Sequence, residues 1–94
     1  MNTNTKGTQQ FIILVGSGGS GKSYFTQNSL HTLKGFDSSH DIKIYRWNEW
    51  DDALNKYNNG NTNVVYESNT TDIPEYVLER ANHIVHLERN AISV

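Results

Sequence analysis

Eight residues near the amino terminus, Gly16-Ser17-Gly18-Gly19-Ser20-Gly21-Lys22-Ser23, constrain this chain more than any other feature, because of what flanks them. Before them, Phe11-Ile12-Ile13-Leu14-Val15 is a continuous apolar run of strand length, as expected of a strand buried on both faces of a parallel sheet. After them, Tyr24, Phe25, Leu30 and Leu33 are compatible with one apolar helix face from Gly21 to about Lys34, and Gly35 supplies a stop. A strand, a glycine-rich loop and a helix in that order form the first half of a β-α-β unit.

The loop has the composition that a polyphosphate requires. Gly16, Gly18, Gly19 and Gly21 permit positive φ and close backbone approach, so that consecutive N–H groups can form a concave anion nest. Lys22 adds a compact, mobile cation, Ser23 a hydroxyl suited to Mg²⁺, and Tyr24 continues the segment into a helix whose positive end faces the loop. The pattern is G-x-x-x-x-G-K-[ST], and with its strand and helix flanks the chain resembles the P-loop (Walker A) NTPases. That resemblance implies ATP or another NTP bound with Mg²⁺ along Gly16, Ser17, Gly18, Gly19, Ser20, Gly21, Lys22, Ser23 and Tyr24, with Ser23 as a metal ligand and Lys22 catalytic.

Downstream, the alternation in Ile42-Lys43-Ile44-Tyr45-Arg46-Trp47 predicts a half-exposed strand, and Asn48 or Asp51 is expected to cap a helix running to about Tyr57. Asn58-Asn59-Gly60-Asn61 breaks it before a strand Asn63-Val64-Val65-Tyr66-Glu67. Asp72, Pro74 and Glu75 mark another helix start, with Ile73, Val77 and Ala81 as its apolar stripe and Asn82 as its end, and Ile84-Val85-His86-Leu87 is the last strand. The expected fold is therefore α/β: a small three-layer P-loop NTPase-like domain of about four mostly parallel strands with crossover helices. Residues 1–10 read as a polar leader and 11–94 as one nucleotide-binding domain.

In such sheets ligands sit at the carboxyl ends of the strands, which brings Glu67 near the loop if its strand neighbours the first. An acid there can act on the Mg²⁺ shell or on an attacking water, so Glu67 is the candidate second acid, both metal-proximal and catalytic. The rival pair Asp51-Asp52 is better explained by a first helical turn, where carboxylates are favoured. The stretch Ser68-Asn69-Thr70-Thr71-Asp72-Ile73-Pro74, continuing to Arg80 and Asn82, is similar to the segment after the sensor strand in viral DNA-packaging and chromosome-translocating ATPases. By that resemblance Asn69 senses the terminal phosphate and Arg80 reaches toward phosphate, DNA is a partner, and the chain works as a homo-oligomer. The spacing from Lys22 to this segment is shorter than in that family.

Composition bounds the remaining classes. Ninety-four residues, 35% hydrophobic with a single Pro, fit one modest core, and a net charge of -2 supplies no global basic field for nucleic acid. There is no cysteine, and no apolar stretch approaches the roughly 18 residues of a membrane span, so a cytoplasmic protein, or one of the host cytoplasm if viral, is expected. His83 and His86 lie three apart on a strand and so face opposite ways, which disfavours shared metal coordination. Trp47 and Trp50 could stack a base, but core or subunit packing is the expectation for both. Two alternatives to a hydrolase stay open: a small nucleotide or metabolite kinase, although Arg46, Arg80 and Arg89 are too scattered for a lid, and a nucleotide-binding module with little turnover.

Overall fold

The computed structural model describes residues 8–19 and 21–87; Ser20, Arg89 and most of the expected leader lie outside them. The elements are β1 (Phe11–Val15), α1 (Lys22–Asn28), a single 3-10 turn (Leu30–Thr32), β2 (Asp41–Tyr45), α2 (Trp50–Asn58), β3 (Thr62–Ser68), α3 (Glu75–Leu78) and β4 (His83–His86). The four strands form one sheet in the order β2-β3-β1-β4, and every pairing is parallel. A small α/β domain with crossover helices is thus what the chain forms.

The first connection, from β1 to β2, moves one way along the sheet, and the next two move the other way. Crossovers of constant hand must then place their helices on opposite faces. The packing follows: Leu30, with Phe25 beside it, covers Ile12, Leu14 and Val65, whereas Ala53, Leu54, Ile73 and Val77 cover Phe11, Ile13, Val15, Val64 and Tyr66. All of β1 is buried, which is why it reads as a continuous apolar run, while β2 and β4 form the edges and leave Ile42 and Ile84 partly exposed.

Several boundaries differ from expectation for local reasons. The first helix ends at Asn28 rather than near Lys34: Asn28 Nδ2 donates to the Tyr24 carbonyl and Thr32 Oγ1 to the Ser29 carbonyl, so polar side chains compete for the backbone and only a 3-10 turn follows. Neither Asn48 nor Asp51 caps α2; Glu49 occupies that position without a side-chain cap bond, and Asp51 and Asp52 lie in the first turn. Pro74, with ψ 146°, precedes α3 instead of lying within it, and Asp72 does not cap it; the helix is one turn long, its bonds tightening beyond it to Arg80 N–H on the Val77 carbonyl and Ala81 N–H on the Leu78 carbonyl. Asn82 does not close α3; it docks on β1, its N–H donating to the Phe11 carbonyl at 2.7 Å and its Oδ1 accepting from the Phe11 N–H at 2.8 Å.

Fully buried Asn63 ties the same end of the sheet. Its Oδ1 accepts from the Gln10 N–H and its Nδ2 donates to the Asp37 carbonyl, each at 2.9 Å. Gly35 has φ 85°, so the turn after the 3-10 segment favours glycine; a Cβ there would come within 2.9 Å of Nε2 at the far end of the Gln10 side chain, which can shift.

Candidate functional site

Because β1 and β3 are neighbours whose connections leave toward opposite faces, a crevice opens beyond their carboxyl ends. The register pairs Leu14 with Glu67 and Val15 with Ser68, and Gly16 N–H donates to the Ser68 carbonyl at 3.0 Å. The glycine-rich loop therefore springs from the sheet directly beside the residues that end β3. Gly19 and Gly21 take positive φ, 82° and 95°; the expectation extended this to Gly16 and Gly18, which keep ordinary φ. Gly16 is buried against β3, so at that position the need is for close approach.

Lys22 folds back over the loop. Its Nζ donates to the carbonyls of Gly16 and Ser17 and, at 3.0 Å, to Oδ1 of Asn69, a residue 47 positions away. Glu67 points to the α1 face of the sheet, as Val65 does two residues earlier, and is 5% exposed. Its Oε1 accepts from Arg46 Nε at 2.8 Å, and its Oε2 lies 3.0 Å from the Thr26 hydroxyl. That hydroxyl is also 3.0 Å from the Lys22 carbonyl, so its single proton has two acceptors.

Arg46 reaches Glu67 because β2 pairs with β3, Ile44 with Val65 and Tyr45 with Tyr66, so that the next residue along β2 arrives beside Glu67. A tight turn follows, with Glu49 N–H donating to the Arg46 carbonyl at 3.1 Å and Trp47 and Asn48 both at positive φ, 58° and 65°. Asn48 N–H donates to the hydroxyl of buried Tyr66 at 2.9 Å. Burial pushes the Tyr66 phenol above its ordinary value, partly offset by this hydrogen bond, with Glu49 adding to the rise.

Two hollows meet at Lys22 and Glu67. One, of about 340 Å³, lies on the loop side and is lined by Gly19, Gly21, Lys22, Ser23, Tyr24 and Glu67. The other, of about 270 Å³, extends toward the turn after β2 and is lined by Arg46, Trp47, Asn48 and Asn69 among others. Sequence reasoning placed Glu67 near the loop and drew attention to Asn69; Glu67 lines the hollow with the loop and Asn69 bonds Lys22. That reasoning missed Thr26 and Arg46, whose roles depend on strand order and register.

Arg80 is not brought to this site. Its guanidinium donates to Asn58 Oδ1 and lies over the Tyr57 ring, at the end of the sheet where β3 begins, so it faces away from the loop of its own chain. Trp47 is 81% exposed and leaves the core to Trp50, which packs edge-on against Tyr66. His83 meets the Lys34 carbonyl at 2.8 Å while His86 is exposed, and no cluster of three or more metal-ligating side chains occurs among the described residues. No helix among them is long and apolar enough to cross a membrane. No family model matches this chain, and neither the curated proteins nor the solved structures contain a match to it.

Proposed function

We propose that the chain binds a nucleoside triphosphate, ATP in the first instance, with Mg²⁺ in the loop-side hollow and hydrolyses it. The observation that carries this reading is the contact of Lys22 with Asn69 beside buried Glu67, which joins the glycine-rich loop to the end of the neighbouring strand at a crevice of the sheet. The residues present fit such a ligand. A Cβ placed on Gly18 or Gly21 would meet nothing within 4 Å, leaving the loop backbone approachable, and the exposed Ser23 lines the hollow.

Within the proposal, the loop amides and Lys22 bind phosphate oxygens, Lys22 exchanging its loop carbonyls and Asn69 for them. Ser23 would hold Mg²⁺, which supplies charge neutralisation on the phosphates. Glu67 would orient and polarise the attacking water, and Asn69, once released by Lys22, would contact the terminal phosphate. Glu67 Oε1 is held by Arg46 and Oε2 faces Thr26, and the part proposed for it in the metal shell is through water.

Work on DNA by a homo-oligomer is the extension of this reading that the likeness to packaging ATPases suggests. It is tested by phosphate release with and without DNA, using Lys22→Ala and Glu67→Gln. The expected result is no turnover in the first and a loss of about a hundredfold or more in the second, with triphosphate still bound. Wild-type turnover in Glu67→Gln would remove Glu67 from the chemistry. A second reading, phosphoryl transfer to a small acceptor, is favoured by the hollow beyond Glu67, and its signature is a phosphorylated product in place of free phosphate. Tight binding without either product would identify a nucleotide-binding module.

A further inference from the structure

The hollow on the far side of Glu67 carries a feature that packing does not explain. Trp47, a bulky residue, sits at positive φ and is 81% exposed, so its indole contributes little to the core while its backbone occupies a region that such side chains rarely adopt. Asn48 beside it does the same, and the turn is fixed by the bond from the Asn48 N–H to the buried Tyr66 hydroxyl and by Glu49, whose N–H closes the turn on the Arg46 carbonyl and whose Oε1 accepts from the Arg46 N–H. A strained conformation held by several independent bonds is one that the surrounding structure imposes. It presents an aromatic face at the rim of a hollow whose other walls include the half-exposed Arg46 together with Lys22, Asn48, Glu67 and Asn69.

We propose that this hollow binds a second nucleotide unit, its base stacked on Trp47 and its phosphate on Arg46, beside the triphosphate of the loop-side hollow. A π-face stacks on an exposed tryptophan with any base. A guanidinium that meets Glu67 through Nε retains its terminal nitrogens as donors for a phosphate. The amides of Asn48 and Asn69 offer both donors and acceptors to a base or sugar. The inference rests on the phosphate reading of the loop in one respect: Lys22 and Glu67 line both hollows, so the second nucleotide would lie next to the transferable phosphate. The same chemistry has two sources, a free mononucleotide acting as acceptor or one residue of a single strand passing the site.

The test titrates the full chain, with the loop side saturated by a nonhydrolysable triphosphate analogue and Mg²⁺, with dAMP and with an oligodeoxyadenylate of about eight nucleotides. Heat release and quenching of tryptophan emission are read. Binding of either probe is expected, weakened about tenfold by Trp47→Ala and largely kept by Trp47→Phe. Arg46→Gln should weaken it and flatten its salt dependence. Trp47→Gly removes the ring and suits the positive φ, so loss of binding in that variant cannot be laid to misfolding. Preference for dAMP identifies a small acceptor, and preference for the oligomer identifies a strand. Failure of both probes at millimolar concentration, or equal binding by wild type, Trp47→Ala and Trp47→Gly, overturns the proposal. Triphosphate binding is measured separately: analogue bound without probe refutes the second site alone, and probe bound without analogue refutes the loop reading alone.

Discussion

Glu67→Gln should separate stability from catalysis, and the hydrogen bonds around the carboxylate say by how much. In the folded chain Oε1 accepts from Arg46 Nε and Oε2 faces the Thr26 hydroxyl. A glutamine can keep Oε1 on Arg46 and place its Nε2 toward Thr26. The Thr26 hydroxyl then turns its proton to the Lys22 carbonyl, 3.0 Å away, and accepts from the amide. No buried group is orphaned. What is lost is the difference between charge-assisted and neutral hydrogen bonds, about 1 kcal/mol. The Coulomb attraction to Arg46 adds little, because that side chain is 48% exposed and screened by water. The expected destabilisation is therefore about 1 kcal/mol, which lowers the midpoint of thermal unfolding by about 4–8 °C in a domain of this size.

Urea unfolding followed by tryptophan emission measures the first quantity, and phosphate release on the same preparation measures the second. Thr26→Val supplies an internal check, since in that background the carboxylate and the amide alike lack the hydroxyl and the exchange should cost no more than it does in the wild type. A loss above about 3 kcal/mol for Glu67→Gln alone would show that the Thr26 hydroxyl cannot reverse its role, and the hydrogen-bond reasoning would be wrong.

Asn63→Leu should destabilise by about 1–3 kcal/mol in urea unfolding, because it orphans the Gln10 N–H and leaves the Asp37 carbonyl with the His40 N–H in place of two donors. Gly35→Ala should cost about 1–2 kcal/mol by the same assay, because of the positive φ. Stability should fall on the alkaline side: Tyr45 and Tyr66 are raised chiefly by burial and Tyr76 by its hydrogen bond to Asp51, so the unfolded chain releases these protons first. Their contribution is intact below the ordinary tyrosine value of about 10 and is lost as pH rises through the folded values. A flat unfolding midpoint across that window would contradict the direction of these shifts.

The parts of this molecule that were legible in its residues are those set by local pattern. An unbroken apolar run meant a strand buried on both faces, and β1 is one; alternation predicted a half-exposed strand, whereas β2 is an edge whose first three residues are exposed and whose last two are half-buried, without alternating. Proximity of Glu67 and Asn69 to the loop followed from a rule about strand ends together with an assumed neighbourhood of β1 and β3, which the sheet order supplies. The Arg46–Glu67 pair was not legible, because it needs the β2-β3 register. Nor was the reversal at Trp47: a Trp-Asn pair carries no strong positive-φ signal, and the bonds that impose it come from Tyr66, eighteen positions beyond Asn48, and from Glu49. Arg80 lies away from the loop of its own chain, and a resemblance in sequence order carries no information on which end of the sheet a one-turn helix leaves the residues after it.

The two faces of the sheet differ in a way that bears on ligand binding. Among the described residues the α2–α3 side has nine buried hydrophobic residues in its cluster, while the side bearing α1 and the 3-10 turn has four. The layer that begins at Lys22 is thus the thinner one, and its opening should require the least free energy. Lys22 both starts that helix and bonds the loop carbonyls and Asn69, so a triphosphate that engages Lys22 replaces internal bonds with stronger charge-assisted ones at the edge of the weakest layer. Saturation at a hundred times the dissociation constant adds about 2.7 kcal/mol to global stability, and hydrogen exchange shows where it acts. Protection should rise first in residues 21–32 and at the end of β3, with little change in α3 and β4. Protection gained in α3 and β4 but not in residues 21–32 would mean that the ligand does not sit on the glycine-rich loop.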